Sequence, residues 1–214
     1  MGHYGSGKTN IALNFALRLK EQGRKVSIAD LDIVNPYFRT QDSSEMLKEA
    51  DIKLISSEFA GSNVDLPALP PDVYSLFDNK DTFGVLDVGG DDRGALALGR
   101  YREGITKEND YDVFFVINKY RPLTKTPELT MEVLQEVEAA SGIKITGLIN
   151  NSNLGEITTS EDVEASAPYA DEVSRLSGLP VVYTTVHESI AENVSLKNVM
   201  PIRLYVKQSW QERV

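Results

Sequence analysis

The sequence predicts a three-layer α/β fold, with a mostly parallel central sheet flanked by helices. Three observations carry this expectation: short apolar runs alternate with helical stripes, a glycine-rich loop opens the first helix, and carboxylates end two of the apolar runs. At 214 residues the chain has the length of one sizeable domain, and 1–214 is read as a single unit.

Apolar residues at 11, 12, 15, 16 and 19 form a helical stripe over Ile11–Lys20, and Gly23 stands where such a helix stops. Lys25–Asp32 reads as a buried strand ending in acids, and Ser44–Ala50 as a short helix. Ile52–Ser57 is a further strand, and Asp65–Pro71 is too proline-rich for regular structure. Asp72–Phe77 makes a turn of helix. Phe83–Val88 and Val113–Asn118 are continuous apolar runs of the kind buried on both faces of a parallel sheet. Thr126 and Pro127 open a helix as cap and first residue, and it runs to Ser141 before Gly142. Ile145–Asn150 and Val181–Val186 supply two more strands. Between them Thr158 and Glu161 have capping-box spacing, and Pro168 breaks or restarts a helix that ends near Gly178.

Composition excludes several function classes. The 22 basic and 32 acidic side chains leave a net charge of −10, which repels a nucleic-acid backbone. Cysteine is absent, so disulfides and metal–thiolate centres are ruled out. No stretch approaches the roughly 20 apolar residues of a membrane span, and no basic-plus-apolar leader opens the chain, so a cytoplasmic protein without membrane docking is expected.

Gly2-His-Tyr-Gly-Ser-Gly-Lys8-Thr9 satisfies G-x-x-x-x-G-K-[ST] in full. Gly2, Gly5, Ser6 and Gly7 would bring backbone N–H groups close to phosphates. Lys8 adds a point charge toward the outer phosphates, Thr9 offers a hydroxyl to Mg²⁺, and the helix N-terminus contributes its positive end. A chance match is expected on the order of once in a hundred chains of this length. A strand normally precedes such a loop, yet only Met1 precedes Gly2, so the expected sheet has its first strand missing or truncated.

A triphosphate site also needs carboxylates. Asp87 ends Phe83–Val88 and is the candidate metal-linked acid, with Gly90 placed to offer an N–H to the γ-phosphate. Asp30 and Asp32 end the earlier strand and point the same way by alternation, so one of them is positioned to orient water.

GHYGSGKT, DLDIVNPYFRTQD from Asp30, LDVGG, and GLINN from Gly147 occur in the order found in MinD/ParA/CobQ-type nucleotide-binding proteins, and the chain resembles that family over its whole length. The resemblance implies a P-loop NTPase fold of the SIMIBI class, ATP and Mg²⁺ as cofactors, and ATP hydrolysis. It further implies Lys8 and Asp32 as catalytic residues, Thr9 and Asp87 at the metal, and Asn151 rather than Asn150 at the base. MinD and ParA proteins carry a second lysine where this chain has His3, so a sandwich homodimer is open rather than implied. The basic amphipathic tail of MinD has no counterpart: Ile202–Val206 alternates like a strand.

Other residues need weighing. His3 lies within the loop and His187 after a strand, too scattered for a metal site. Asn35–Arg39 follows Asp32 in a region where γ-phosphate contacts order loops, and Asp91–Arg93 follows the second acid. Lys119 and Arg121 end another strand, where either would serve an anionic ligand or face solvent. Two activities compete. One is a slow ATPase that works as a nucleotide-driven switch for a protein partner. The other is an ATP-dependent small-molecule ligase resembling dethiobiotin synthetase or the cobyrinate amidating ligases. A catalytically dead scaffold is disfavoured by Lys8, Thr9, Asp32 and Asp87. No N-K-x-D sequence occurs, so the choice between ATP and GTP rests on the resemblance.

Overall fold

The computed structural model of the chain describes residues 1–32, 44–56, 71–90 and 92–206. The elements run α1 (Lys8–Glu21), β1 (Lys25–Leu31), α2 (Ser44–Glu49), β2 (Lys53–Ile55), α3 (Ser75–Asp78), β3 (Thr82–Val88), α4 (Asp92–Gly99) and α5 (Arg102–Glu108). They continue β4 (Phe114–Ile117), α6 (Pro127–Ser141), β5 (Gly147–Asn150), α7 (Ser160–Glu164), α8 (Ala167–Ser177), β6 (Val181–His187) and β7 (Val199–Ile202). Among the described residues every strand pairing is parallel, in keeping with the mostly parallel sheet expected.

Strand pairing among the described residues forms two sheets rather than one, in the orders β2-β1-β3 and β4-β5-β6-β7. Among the described residues no backbone ladder joins β3 to β4. Met1 extends beside β4, donating its terminal amine to the Phe114 carbonyl at 2.8 Å and accepting from the Val116 N–H at 2.8 Å, and it packs against the cores of both halves. The packed layers keep the halves together. On one face α1 covers both sheets: Leu13 and Ala16 pack with Val26 and Ile28, while Ile11 packs with Val116 and Ile149. On the other face Ala95, Leu134, Val137, Tyr169 and Val173 from α4, α6 and α8 cover Phe115, Ile117 and Leu148. Consecutive residues of β4 and β5 therefore enter opposite cores, which is why these strands read as unbroken apolar runs.

Caps set the helix boundaries. Thr126 accepts from the Leu129 N–H at the start of α6, and Gly142 ends it with φ 65°. The capping box of α7 uses Thr159 and Asp162, one residue beyond the expected Thr158 and Glu161, because the Thr158 hydroxyl is engaged by Gly155 and Leu154. Pro168 sits in the first turn of α8, so it restarts the helix. The sequence assigned no element to 92–108, where α4 and α5 lie. The last strand falls at Val199–Ile202, and Arg203–Val206 instead runs irregularly along α1, where Asn10 Oδ1 accepts from the Tyr205 and Val206 N–H groups. Asn35–Arg39, nearly all of Asp65–Pro71, and Asp91 lie outside the described residues. No helix among the described residues is long and apolar enough to cross a membrane.

Candidate functional site

Residues 2–7 form a loop between Met1 and α1, at the carboxyl ends of the strands. Gly7 is the N-cap of α1 with φ 93°, left-handed backbone that few other residues tolerate. A Cβ there would also collide with the Asn151 carboxamide. The loop is closed on itself: the Ser6 N–H donates to the His3 carbonyl at 3.2 Å, and Lys8 Nζ donates to the same oxygen at 3.2 Å. The N-terminus of α1, glycine backbone and a lysine thus converge on one spot, which is the chemistry of an anion site.

The acids stand where the strand ends predicted. Asp30 and Asp87 are register partners across β1 and β3, and both are buried. Asp30 Oδ1 accepts the Asp32 N–H at 3.0 Å, turning the chain at the strand end. Asp87 receives a hydrogen bond from the Thr9 hydroxyl, with Lys8 and Asp32 close enough to act on it electrostatically. Burial pushes the Asp87 carboxyl up to about 6, against the opposing pull of Thr9 and Lys8. A desolvated carboxylate bonded to a threonine hydroxyl fits a hard cation, which takes oxygen ligands.

Gly90 lies in the mouth of the loop. A Cβ on it would fall 2.6 Å from the Tyr4 nitrogen and 2.7 Å from Lys8 Nζ. Gly89 is held less tightly: a Cβ on it would fall 3.0 Å from Asp32 Oδ1. The segment after β3 therefore touches both the phosphate loop and Asp32 through backbone alone.

Asn150 and Asn151 face different neighbours. Asn150 is fully buried, donating to Ser166 Oγ at 2.8 Å and accepting from Ser152 Oγ at 2.7 Å. Asn151 turns to the loop, donating to the Ser6 carbonyl at 2.6 Å and accepting from Thr185 Oγ1 at 2.6 Å. Ser6 Oγ is buried and has no hydrogen-bond partner among the described residues.

Of the two cations after β4, Lys119 reaches away, donating to the Ala165 carbonyl at 2.8 Å, whereas Arg121 Nε donates to the Gly5 carbonyl at 3.0 Å. The His3 ring bonds the Tyr4 carbonyl, and burial lowers its pKa. The His187 ring caps the following turn through Ser189. Sequence reasoning missed the neighbourhood of Arg121 and Gly5, and nothing in the spacing of two residues 116 positions apart signals it.

Residues 3–167 match the model of the CobQ/CobB/MinD/ParA nucleotide-binding domain family. No curated protein sequence matches the chain significantly. Among solved structures, the cell division protein FtsY of Thermotoga maritima is similar with a TM-score of 0.60 and 18% identity, over 88% of this chain and 60% of that one. The chloroplast FtsY of Physcomitrella patens gives 0.60 and 17%, over 86% and 56%. The 54 kDa signal recognition particle protein of Aeropyrum pernix K1, solved in complex with GDP, gives 0.53 and 15%, over 86% and 39%. These likenesses concern the fold. The chain spans at most about three-fifths of the length of these structures.

Proposed function

The chain belongs to the CobQ/CobB/MinD/ParA nucleotide-binding family, and on that premise we propose that residues 1–214 form one ATP-binding domain, a slow Mg²⁺-dependent ATPase that works in the cytoplasm as a nucleotide-driven switch for a protein partner. The observation that carries the reading is the contact of Gly90 with Tyr4 and Lys8. A γ-phosphate entering the loop meets the backbone after β3 directly, so the presence or loss of that phosphate is felt by a segment running into α4.

The roles follow from position. Gly2, Gly5, Ser6 and Gly7 shape the loop, and Lys8 and the α1 N-terminus balance phosphate charge. Thr9 and Asp87 would hold Mg²⁺, which supplies charge neutralisation between the outer phosphates, with remaining ligands from the nucleotide and water. Asp32 orients a water for in-line attack on the γ-phosphorus. The bond to the bridging oxygen breaks, giving ADP and inorganic phosphate. Asn151 supports the loop through the Ser6 carbonyl and, on the family pattern, would contact the base.

The test is binding and turnover of ATP and GTP, with and without Mg²⁺, in the wild type, Lys8→Ala and Asp32→Ala. GTP is included because the Aeropyrum relative was solved with GDP. Loss of binding in Lys8→Ala, with loss of turnover alone in Asp32→Ala, supports the reading. A folded wild type that binds neither nucleotide overturns it. Phosphate release that depends on an added carboxylate metabolite moves the assignment to a ligase.

A further inference from the structure

We propose that Arg121 is a positioning residue of the nucleotide site: from the end of β4 it braces the phosphate loop at Gly5, so that the loop's N–H groups are held ready for the polyphosphate. The inference rests on the nucleotide-binding reading and adds to it a residue outside the glycine-rich motif.

The geometry starts with peptide planarity. In a trans peptide the C=O and the following N–H point in opposite directions. Arg121 Nε holds the Gly5 carbonyl at 3.0 Å, and Asn151 Nδ2 holds the Ser6 carbonyl at 2.6 Å. Two consecutive peptide planes are thus pinned by their oxygens from outside, and the N–H groups of Ser6 and Gly7 are turned the other way. The Ser6 N–H, so turned, closes the loop on the His3 carbonyl at 3.2 Å, and this fixes the curve that the remaining loop N–H groups follow. Glycine at position 5 suits the left-handed backbone there, φ 73°, while a Cβ would meet Arg121 Nε only at ordinary contact distance, 3.7 Å.

The brace itself is rigid. The Arg121 N–H donates to the Asn118 carbonyl at 3.1 Å, and its own carbonyl accepts the Thr124 N–H at 3.1 Å. Thr124 Oγ1 returns to the Asn118 carbonyl at 2.7 Å, and the Lys119 N–H donates to Ser152 Oγ at 3.0 Å. The guanidinium is half-buried, and burial lowers its pKa. In a chain of net charge −10, a cation so placed lowers the local barrier to a polyphosphate.

The experiment uses the full chain with Arg121→Ala, Arg121→Gln and Arg121→Lys, titrated with Mg-ATP and with inorganic tripolyphosphate, which probes the loop without a base. Thermal midpoints without ligand are taken alongside. Arg121→Ala is expected to bind both ligands about tenfold or more weakly, as loss of a charge-assisted hydrogen bond implies. Its unliganded midpoint stays within a few degrees of wild type, Arg121→Lys recovers part of the affinity, and KM rises more than kcat falls. If Arg121→Ala fails to fold, Arg121→Gln carries the same expectation. Unchanged affinity in a folded variant overturns the inference and leaves the nucleotide reading standing. A folded wild type that binds neither ligand overturns both.

Discussion

The Asn151 carboxamide donates to the Ser6 carbonyl at 2.6 Å and accepts from the Thr185 hydroxyl at 2.6 Å, tying the ends of β5 and β6 to the middle of the phosphate loop. Both bonds are buried, and the interaction spans 145 residues of sequence. The shape of the loop is therefore a property of the second sheet as much as of the glycines.

Asn151→Ala removes both bonds and leaves the Ser6 carbonyl without this donor. The cost is about 2–4 kcal/mol for two buried hydrogen bonds, to be read from urea unfolding without ligand. Nucleotide affinity falls in parallel. Asn151→Asp loses affinity further, because a carboxylate then faces both the Ser6 carbonyl and the incoming phosphates. Affinity unchanged in Asn151→Ala would remove the residue from the site.

Asp87 sets a pH dependence. Its folded carboxyl is raised to about 6 from the ordinary 3.8, chiefly by burial. Between those values the native state binds more protons than the unfolded state, so this group's contribution to stability falls as pH rises through that window. Above about pH 7 the ionised, buried carboxylate costs on the order of 3 kcal/mol in the unliganded protein. Asp87→Asn is expected to raise the unliganded thermal midpoint at pH 7–8 by several degrees and to flatten its decline from pH 4 to 7. The same variant loses the Mg²⁺-dependent part of nucleotide stabilisation. A midpoint at pH 8 lower than wild type would contradict this.

Gly90→Ala tests the contact between the two loops. Gly90 is absent from the positive-φ glycines, so the obstacle to a side chain is contact with the Tyr4 backbone and Lys8. The Tyr4 backbone belongs to a hydrogen-bonded loop and gives way poorly, at a cost of about 1–3 kcal/mol. The variant is expected to bind nucleotide within about threefold of wild type but to hydrolyse it at least about tenfold more slowly, since 1.4 kcal/mol is one decade. Single-turnover phosphate release separates the two quantities. Full turnover in Gly90→Ala would mean that the segment after β3 is not coupled to the γ-phosphate.

Much of the fold was legible because burial on both faces writes itself as continuous apolar runs. Val113–Asn118 was readable for that reason, and its residues divide between the cores on either side of the sheet. Phe83–Val88 was read the same way, yet only its end is buried, with Phe83 and Gly84 exposed. The cap of α6 was legible because Thr, Pro and Gly act within one turn. α4 and α5 were not, because Asp92–Glu108 is interrupted by Gly94, Gly99 and Gly104 and its short stripes are completed only by distant elements, α6 against Ala95, and Val73 and Phe77 against Ile105.

By itself the sequence determined the alternating parallel architecture, the phosphate loop and the acids at two strand ends, since each is encoded by neighbours within about ten residues. Only the tertiary structure decided that Asn10 would hold the Tyr205–Val206 segment, that Asn151 would face the loop while Asn150 faced α8, and that Arg121 rather than Lys119 would reach Gly5. The physical reason is the same in each case. These side chains serve polar backbone groups more than a hundred residues away or on a neighbouring element, and a buried polar group accepts whichever partner the packed layers bring within 3 Å.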